Sequence, residues 1–347
     1  MNSQWQSFLE SQSAQISAEG EVRFVCDDPF PACALFDLSH LGLIRVAGED
    51  ARTFLQGQFT NDIRDVTESW SQLSAYCSPK GRMLANFRIF LHQGDYFLQM
   101  PRDTYETVLH RLPMFVLISK VKVTDASDEI VSIGLAGDCA EGLLQRQFSK
   151  VPDKPGEVAQ HSGITLIRLP GEPARFQLSG TPEAVAASWS ELAQAAQPGN
   201  RDYWSLLDIR AGIPTIYRET SDAFVPQMTN MQQIDGVSFT KGCYTGQEVV
   251  ARMKYLGKLK RRMYLASVDT DTRPVPGDEL FAPGSASGQG AGKVVDARPA
   301  PGGGFDLLAV TEIKNFEQDN LHLQGDTGPK LKLGTLPYGF DETDAPG

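Results

Sequence analysis

No run among the 347 residues approaches the ~18 to 20 consecutive apolar positions that a membrane-spanning helix requires. No membrane partner is expected. The amino-terminal stretch MNSQWQSFLESQSAQ has no basic region leading into an apolar one and no small-residue cleavage site, so no secretion signal is read and a cytoplasmic location is expected. Cysteine is sparse: positions 26, 33, 77, 139 and 243 form an odd, scattered set without a CxxC pair. That pattern argues against a disulfide framework and against a zinc site. Reduced thiols and no bound metal are the expectation. Positive charge is also short, with 32 Lys and Arg against 43 Asp and Glu and a net charge of −11, which argues against a surface that holds nucleic acid by general electrostatics.

What is present is ordinary globular composition, 41% hydrophobic and 22% charged, at a length that exceeds one core and implies two or three domains. Periodicity from residue 41 reads as strand (LGLIRVA), helix (EDARTFLQGQF), three strands (SQLSAYC, RMLANFRIFL, DYFLQM), helix (DTYETVLHRLPMF) and strand (KVKVTDA). A second round follows: EIVSIGLA, the helix CAEGLLQRQF, ITLIRL, RFQLSG and the helix PEAVAASWSELAQAA, whose Val185, Trp189, Leu192 and Ala196 form one stripe. AQPGN at 196–200 reads as a turn into the helix DYWSLLDIRAG. Beyond ~260 short β-rich runs alternate with Pro- and Gly-rich links, the texture of a small β-barrel, and DETDAPG reads as a frayed tail. The fold class is therefore α+β, with a first α+β region over 1–125, a second over 126–257, possibly interleaved with the first, and a C-terminal barrel over 258–347.

The segment KGCYTGQEVVAR, 241–252, is the chemically richest. Thr245 and Glu248 have the S/T-x-x-E spacing of a capping box, and Val249, Val250, Met253 and Leu256 give an apolar face ending at Gly257, so a three-turn helix is expected from about Gly246. Cys243 then sits before the positive end of that helix, with Lys241 two residues away, and both effects favour a thiolate. The alternative is a structural thiol beside a tight turn. Gly242 and Gly246 are read as positions of close approach or positive φ. Between 241 and 262 seven cations (Lys241, Arg252, Lys254, Lys258, Lys260, Arg261 and Arg262) face one acid, Glu248, a local balance of +6 that frames an anion site or merely a solvated face. On RMLANFRIFL, period two puts Met83, Ala85, Phe87, Ile89 and Leu91 on one face and Arg82, Asn86 and Arg88 on the other, which lines a cavity or meets solvent.

KGCYTGQEVVAR, with PQMTNMQQIDGVSF before it and GKLKRR after it, resembles the signature of the YgfZ family of folate-binding proteins. The resemblance extends from LSHLGLIRVAGEDARTFLQGQFTND through PKGRM and DYWSLLDIRAGIPTIY to the terminal LPY. It implies a fold like the aminomethyltransferase of the glycine cleavage system, with tandem ferredoxin-like domains and a C-terminal barrel in a ring around tetrahydrofolate. It further implies a cytoplasmic accessory protein for iron–sulfur cluster assembly or repair, including in enzymes that thiomethylate tRNA. Its partners are then folate, iron–sulfur proteins and cluster-assembly proteins, with no strong direct nucleic-acid binding. By the same resemblance Lys241 and Cys243 are the residues required for function and Trp204 contacts folate. The alternative for Trp204 is a core tryptophan on an amphipathic helix. Asn86, Arg88 and Arg252 complete the cofactor-binding expectation, the cations Arg252, Lys254 and Lys258 attracting the anionic glutamate tail. Two departures stand out. Leu41 occupies the place of a second folate-contacting tryptophan, and Ala85-Asn86 replace the Asp-Asp pair of the related transferases. An amide cannot take up a proton as a carboxylate does, which counts against the alternative of a true aminomethyltransferase. Direct tRNA binding is the remaining alternative.

Overall fold

The structure, a computed structural model, describes residues 1–257, 259–283 and 290–340. The frayed-tail expectation, DETDAPG, lies outside them. The chain divides into two compact units, each assembled from separate segments: Met1–Gln56, Asp62–Gln72 and Phe87–Trp204 make the first, and Gly57–Asn61, Leu73–Asn86 and Ser205–Gly347 the second. Among the described residues no helix is long and apolar enough to cross a membrane.

The first unit is built on a six-stranded sheet ordered Val158–His161, Ile164–Leu169, Arg175–Gly180, Val131–Gly137, Cys33–Asp37 and Gln197–Gly199. All its pairings are antiparallel except the last, where Gln197–Gly199 runs parallel to Ala34–Phe36. That strand corrects the expected turn at 196–200: three residues gain ladder partners from a strand more than 160 positions away, which local propensity cannot register. Helices Ser3–Ser11 and Pro182–Leu192 bring Trp5, Leu9, Val185, Trp189 and Leu192 onto one core with Leu35, Ile133, Leu135, Leu166 and Phe176. The predicted stripe on the second of these helices is thus buried as expected. The first helix starts where the Asn2 side chain accepts from the Trp5 amide at 3.0 Å, leaving one fewer orphan donor. The Trp5 indole in turn donates to the buried carboxylate of Asp37 at 2.8 Å.

One observation overturns the expectation of reduced thiols throughout. Cys33 and Cys139 form a disulfide, with Cα atoms 5.8 Å apart. The antiparallel register explains it, because Cys33 lies opposite Gly137 and Cys139 follows two residues later.

A second sheet is ordered Gln72–Cys77, Met83–His92, Asp95–Pro101, Leu41–Ala47 and Lys122–Asp125. Its strand Met83–His92 begins in the second unit and ends in the first. Met83, Ala85, Phe87, Ile89 and Leu91 are all buried as the alternation predicts, and on the other face Arg82 and Arg88 are partly open while Asn86 and Phe90 are buried.

In the second unit the C-terminal strands form a curled half-barrel rather than a closed one. The order is His322–Leu323, Glu279–Phe281, Gly292–Pro299, Phe305–Glu312, Arg261–Val268 and Lys332–Leu333. A bulge between Val294 and Asp296 bends the third of these strands. Val295, Leu308, Val310 and Met263 from this sheet pack with Ala75, Cys77, Met83, Ile216, Met231 and Val250 in one core. That core is the floor on which the candidate site rests.

Candidate functional site

The site is the loop 236–246 and the helix that follows it, all within the second unit. It is a display loop held at both ends. At the near end the Thr60 hydroxyl donates to the Gly236 carbonyl at 2.8 Å, the Asn61 amide donates to the carbonyls of Asp235 and Leu73, and the Ser238 amide donates to the Thr60 carbonyl at 3.0 Å. Lys241 completes the anchor. Its Nζ is buried and donates to the carbonyls of Phe59 at 2.6 Å and Asn61 at 2.8 Å, and it lies 5.2 Å from the Tyr244 ring centroid. A buried ammonium is tolerable only when its protons are taken up in this way.

At the far end Gly246 does what no other residue can. Its φ is +84°, and a Cβ there would stand 2.5 Å from the Ser78 carbonyl oxygen. Gly246 is also the N-cap of the helix Gln247–Tyr255, with no side-chain capping bond. The expected Thr245 capping box is therefore not formed. The close approach of the 78–81 turn decides the geometry, and the left-handed cap it forces replaces the extended conformation a Thr cap needs. Gly242, by contrast, has open space around its Cβ position and no left-handed φ. The helix ends at Tyr255, and Leu256, expected on its buried face, is 82% exposed, while Val250 is fully buried.

Between the two anchors stands Cys243. It is exposed, and it is four residues ahead of the first helical residue, Gln247. The other free thiols are in a different state: burial raises the pKa of Cys26, and burial with the nearby Asp222 charge pushes Cys77 up to about 12. A thiol reacts as thiolate and only where a reagent can reach it, so access singles out Cys243.

The remaining expected site residues have well-defined places. The Asn86 amide is occupied at both ends, donating to the Pro214 carbonyl at 2.7 Å and accepting from the Ile216 amide at 2.8 Å. It fixes the 214–216 backbone. Arg88 is half-buried and donates to the Ser71 hydroxyl at 3.3 Å. Arg252 is exposed on the display helix, and neither it nor Lys254 has a carboxylate in salt-bridge range among the described residues. Lys254 lies 5.5 Å from the Phe239 ring centroid, and Lys258 falls outside the described residues. Trp204, at the end of the first unit, is 3% exposed. It lies on Gly134, where a Cβ would come within 2.5 Å of the ring, with Phe36 5.1 Å and the Arg175 guanidinium 5.5 Å away. Leu41 lines a small cleft of the first unit with Gln99 and Arg102, whose ~20 Å³ admits about one water and no pterin. Within the described residues no cluster of three or more His, Cys, Asp or Glu is placed to hold a metal. Sequence reasoning gave Thr60 and Asn61 no role; their segment, QFTND, stood out only as part of a resemblance, because the bonds they make span more than 170 residues.

Comparison with known proteins adds three findings. Residues 6–169 match the family model described as the GCVT N-terminal domain. The chain is 33% identical over 307 residues to the tRNA-modifying protein YgfZ of Pectobacterium atrosepticum, covering 88% of this chain and 92% of that one. It is 34% identical over 310 residues to the protein of the same name from Escherichia coli O7:K1, covering 89% and 94%, and 37% identical over 251 residues to that of Colwellia psychrerythraea, covering 72% and 76%. In three dimensions it is similar to the glycine cleavage system aminomethyltransferase T from Bartonella henselae, with a TM-score of 0.73 over 97% of each chain at 14% identity, which establishes a shared mixed α/β fold.

Proposed function

As the chain belongs to the YgfZ family, we propose that it is a tetrahydrofolate-binding accessory protein that supports iron–sulfur cluster assembly or repair, and through it tRNA modification. The observation that carries this reading is the display of Cys243: one accessible thiol, on a loop strapped by Lys241 to two backbone carbonyls and by Gly246 to the 78–81 turn. A structural cysteine needs no such scaffold. In this proposal Cys243 acts directly and Lys241 is a positioning residue, its charge used to hold the loop.

For folate the donor set fits the anionic half of the molecule. Arg252 and Lys254, both in the second unit, carry charge without a carboxylate in salt-bridge range among the described residues, which suits glutamate carboxylates. Trp204 and Asn86 serve differently from an open stacking wall and a free amide. The ring is packed among Gly134, Phe36 and Arg175 in the first unit, and the amide holds the 214–216 backbone in the second. Tetrahydrofolate would supply a one-carbon carrier, and the chain's own residues bind and orient it. Regions 1–125 and 126–257, possibly interleaved in sequence, are read as the two ferredoxin-like domains and 258–347 as the C-terminal barrel region, with the cytoplasm as the location.

The aminomethyltransferase alternative has the fold but not the acid. Where the related transferases carry an Asp-Asp pair, Ala85 is fully buried and Asn86 is engaged with backbone. Cells lacking the protein and complemented with Cys243→Ala test the main reading. Activity of a tRNA-thiomethylating iron–sulfur enzyme is expected to stay at the level of the deletion, and full restoration by this variant contradicts the role given to the thiol.

A further inference from the structure

Four of the six exposed large apolar side chains among the described residues of the first unit lie together, in the segment PMFVLIS at 113–119, far in sequence from the display loop. Met114 is 71%, Phe115 42%, Leu117 87% and Ile118 99% exposed. By these fractions the tip offers roughly 500 Å² of apolar surface, near the upper end of the ~300 to 600 Å² that the largest patch of an ordinary monomer reaches. The tip is held. Turns Val116 N to Pro113 O and Ser119 N to Val116 O fix it internally, and at its base the Lys120 amide and ammonium bond to Asp50 at 2.8 Å and Glu49 at 2.8 Å. Leu117 has φ +45°, a left-handed conformation that a branched side chain adopts at a cost. The chain accepts strained backbone in order to point a Leu into water, which is the reverse of what folding alone selects.

We propose that this tip is a self-association surface, on which a second copy of this chain docks in an isologous pair. Three observations favour a second copy. Two such tips facing one another can bury up to roughly 1,000 Å² in total, the low end of the range for a specific and reversible interface. The seven residues of the tip carry no charge, so two proteins of net charge −11 can meet there without like charges in contact. The base carries both signs, Glu49 and Asp50 beside Lys120, and a two-fold axis sets each such residue against a different one, so a mixed border is self-complementary where a border of one sign is not. The seven tip residues offer no cation to a nucleic acid or to an anionic lipid surface.

Sedimentation equilibrium of the full chain between about 1 and 100 µM tests the proposal. A reversible monomer–dimer equilibrium is expected, with Leu117→Asp and Ile118→Asp each weakening it at least tenfold while far-UV circular dichroism and melting temperature stay those of the parent, since both side chains are exposed. A protein that is monomeric throughout the range overturns the proposal, as does a dimer that both variants leave intact. Flotation of the monomeric parent with phosphatidylcholine–phosphatidylglycerol vesicles also overturns it, by assigning the tip to lipid.

Discussion

The Lys241 ammonium donates to the Asn61 carbonyl at 2.8 Å across 180 residues of chain, and this bond, with its partner to Phe59, ties the display loop to the segment Gly57–Asn61. Lys241 and Cys243 are two residues apart yet do opposite things, one buried and one exposed. Their substitutions should separate accordingly.

Lys241→Met keeps the length of the side chain but strands two buried carbonyls. A loss of about 2 to 4 kcal/mol in unfolding free energy is expected, read by urea denaturation. Cys243→Ser should leave stability within about 0.5 kcal/mol of the parent, because the side chain is solvated. Equal stability of both variants would mean that Lys241 is no strap.

Gly134→Ala should displace Trp204. With a Cβ 2.5 Å from the ring the indole must move, at a cost of about 1 to 3 kcal/mol, and a shift in tryptophan emission should accompany it. Unaltered emission and stability would show that the ring does not rest there.

The disulfide predicts a thiol count. Under native conditions at neutral pH iodoacetamide should modify Cys243 first, since Cys26 and Cys77 are held protonated by burial. Denatured without reductant the protein should expose three reactive thiols, and with reductant five. Because the bridge closes a loop of 106 residues, Cys33→Ala should cost about 2 to 5 kcal/mol in oxidising buffer and nothing further on adding reductant. Five reactive thiols before reduction would contradict the bridge.

His92 gives stability a pH dependence of definite sign. Thr165 passes its hydroxyl proton to Gln160 at 2.8 Å, so His92 Nδ1 must donate to the Thr165 oxygen at 2.7 Å, and Nε2 is left buried. Burial first, and Arg45 second, lower its pKa below 6.5. The unfolded chain therefore binds the proton more readily, and stability is full above about pH 6.5 and falls as pH drops toward the folded-state value. His92→Gln should flatten the stability profile between pH 7 and 5 relative to the parent, and an unchanged slope would assign the effect elsewhere.

What could be read in advance follows from how local each signal is. The alternation at Met83–Leu91 and the stripe at Val185, Trp189 and Leu192 are short-range and were legible. The amino-terminal helix carried such a signal too, Trp5 and Leu9 one turn apart after Asn2. The parallel strand Gln197–Gly199, the Cys33–Cys139 bridge and the Lys241 strap each join positions more than 100 residues apart, where spacing says nothing. At Gly246 a local rule was present and lost: a good capping-box pattern yielded to the backbone of Ser78. Cys243 was legible as chemistry, and its accessibility became visible only in three dimensions.

Isothermal titration of tetrahydrofolate into the pure protein, under anaerobic conditions, bears most directly on the proposed function. Saturable binding at one site per chain is expected, weakened by Arg252→Ala and retained in Cys243→Ser. Absence of any saturable heat at millimolar ligand would contradict folate binding and, with it, the function proposed for the displayed thiol.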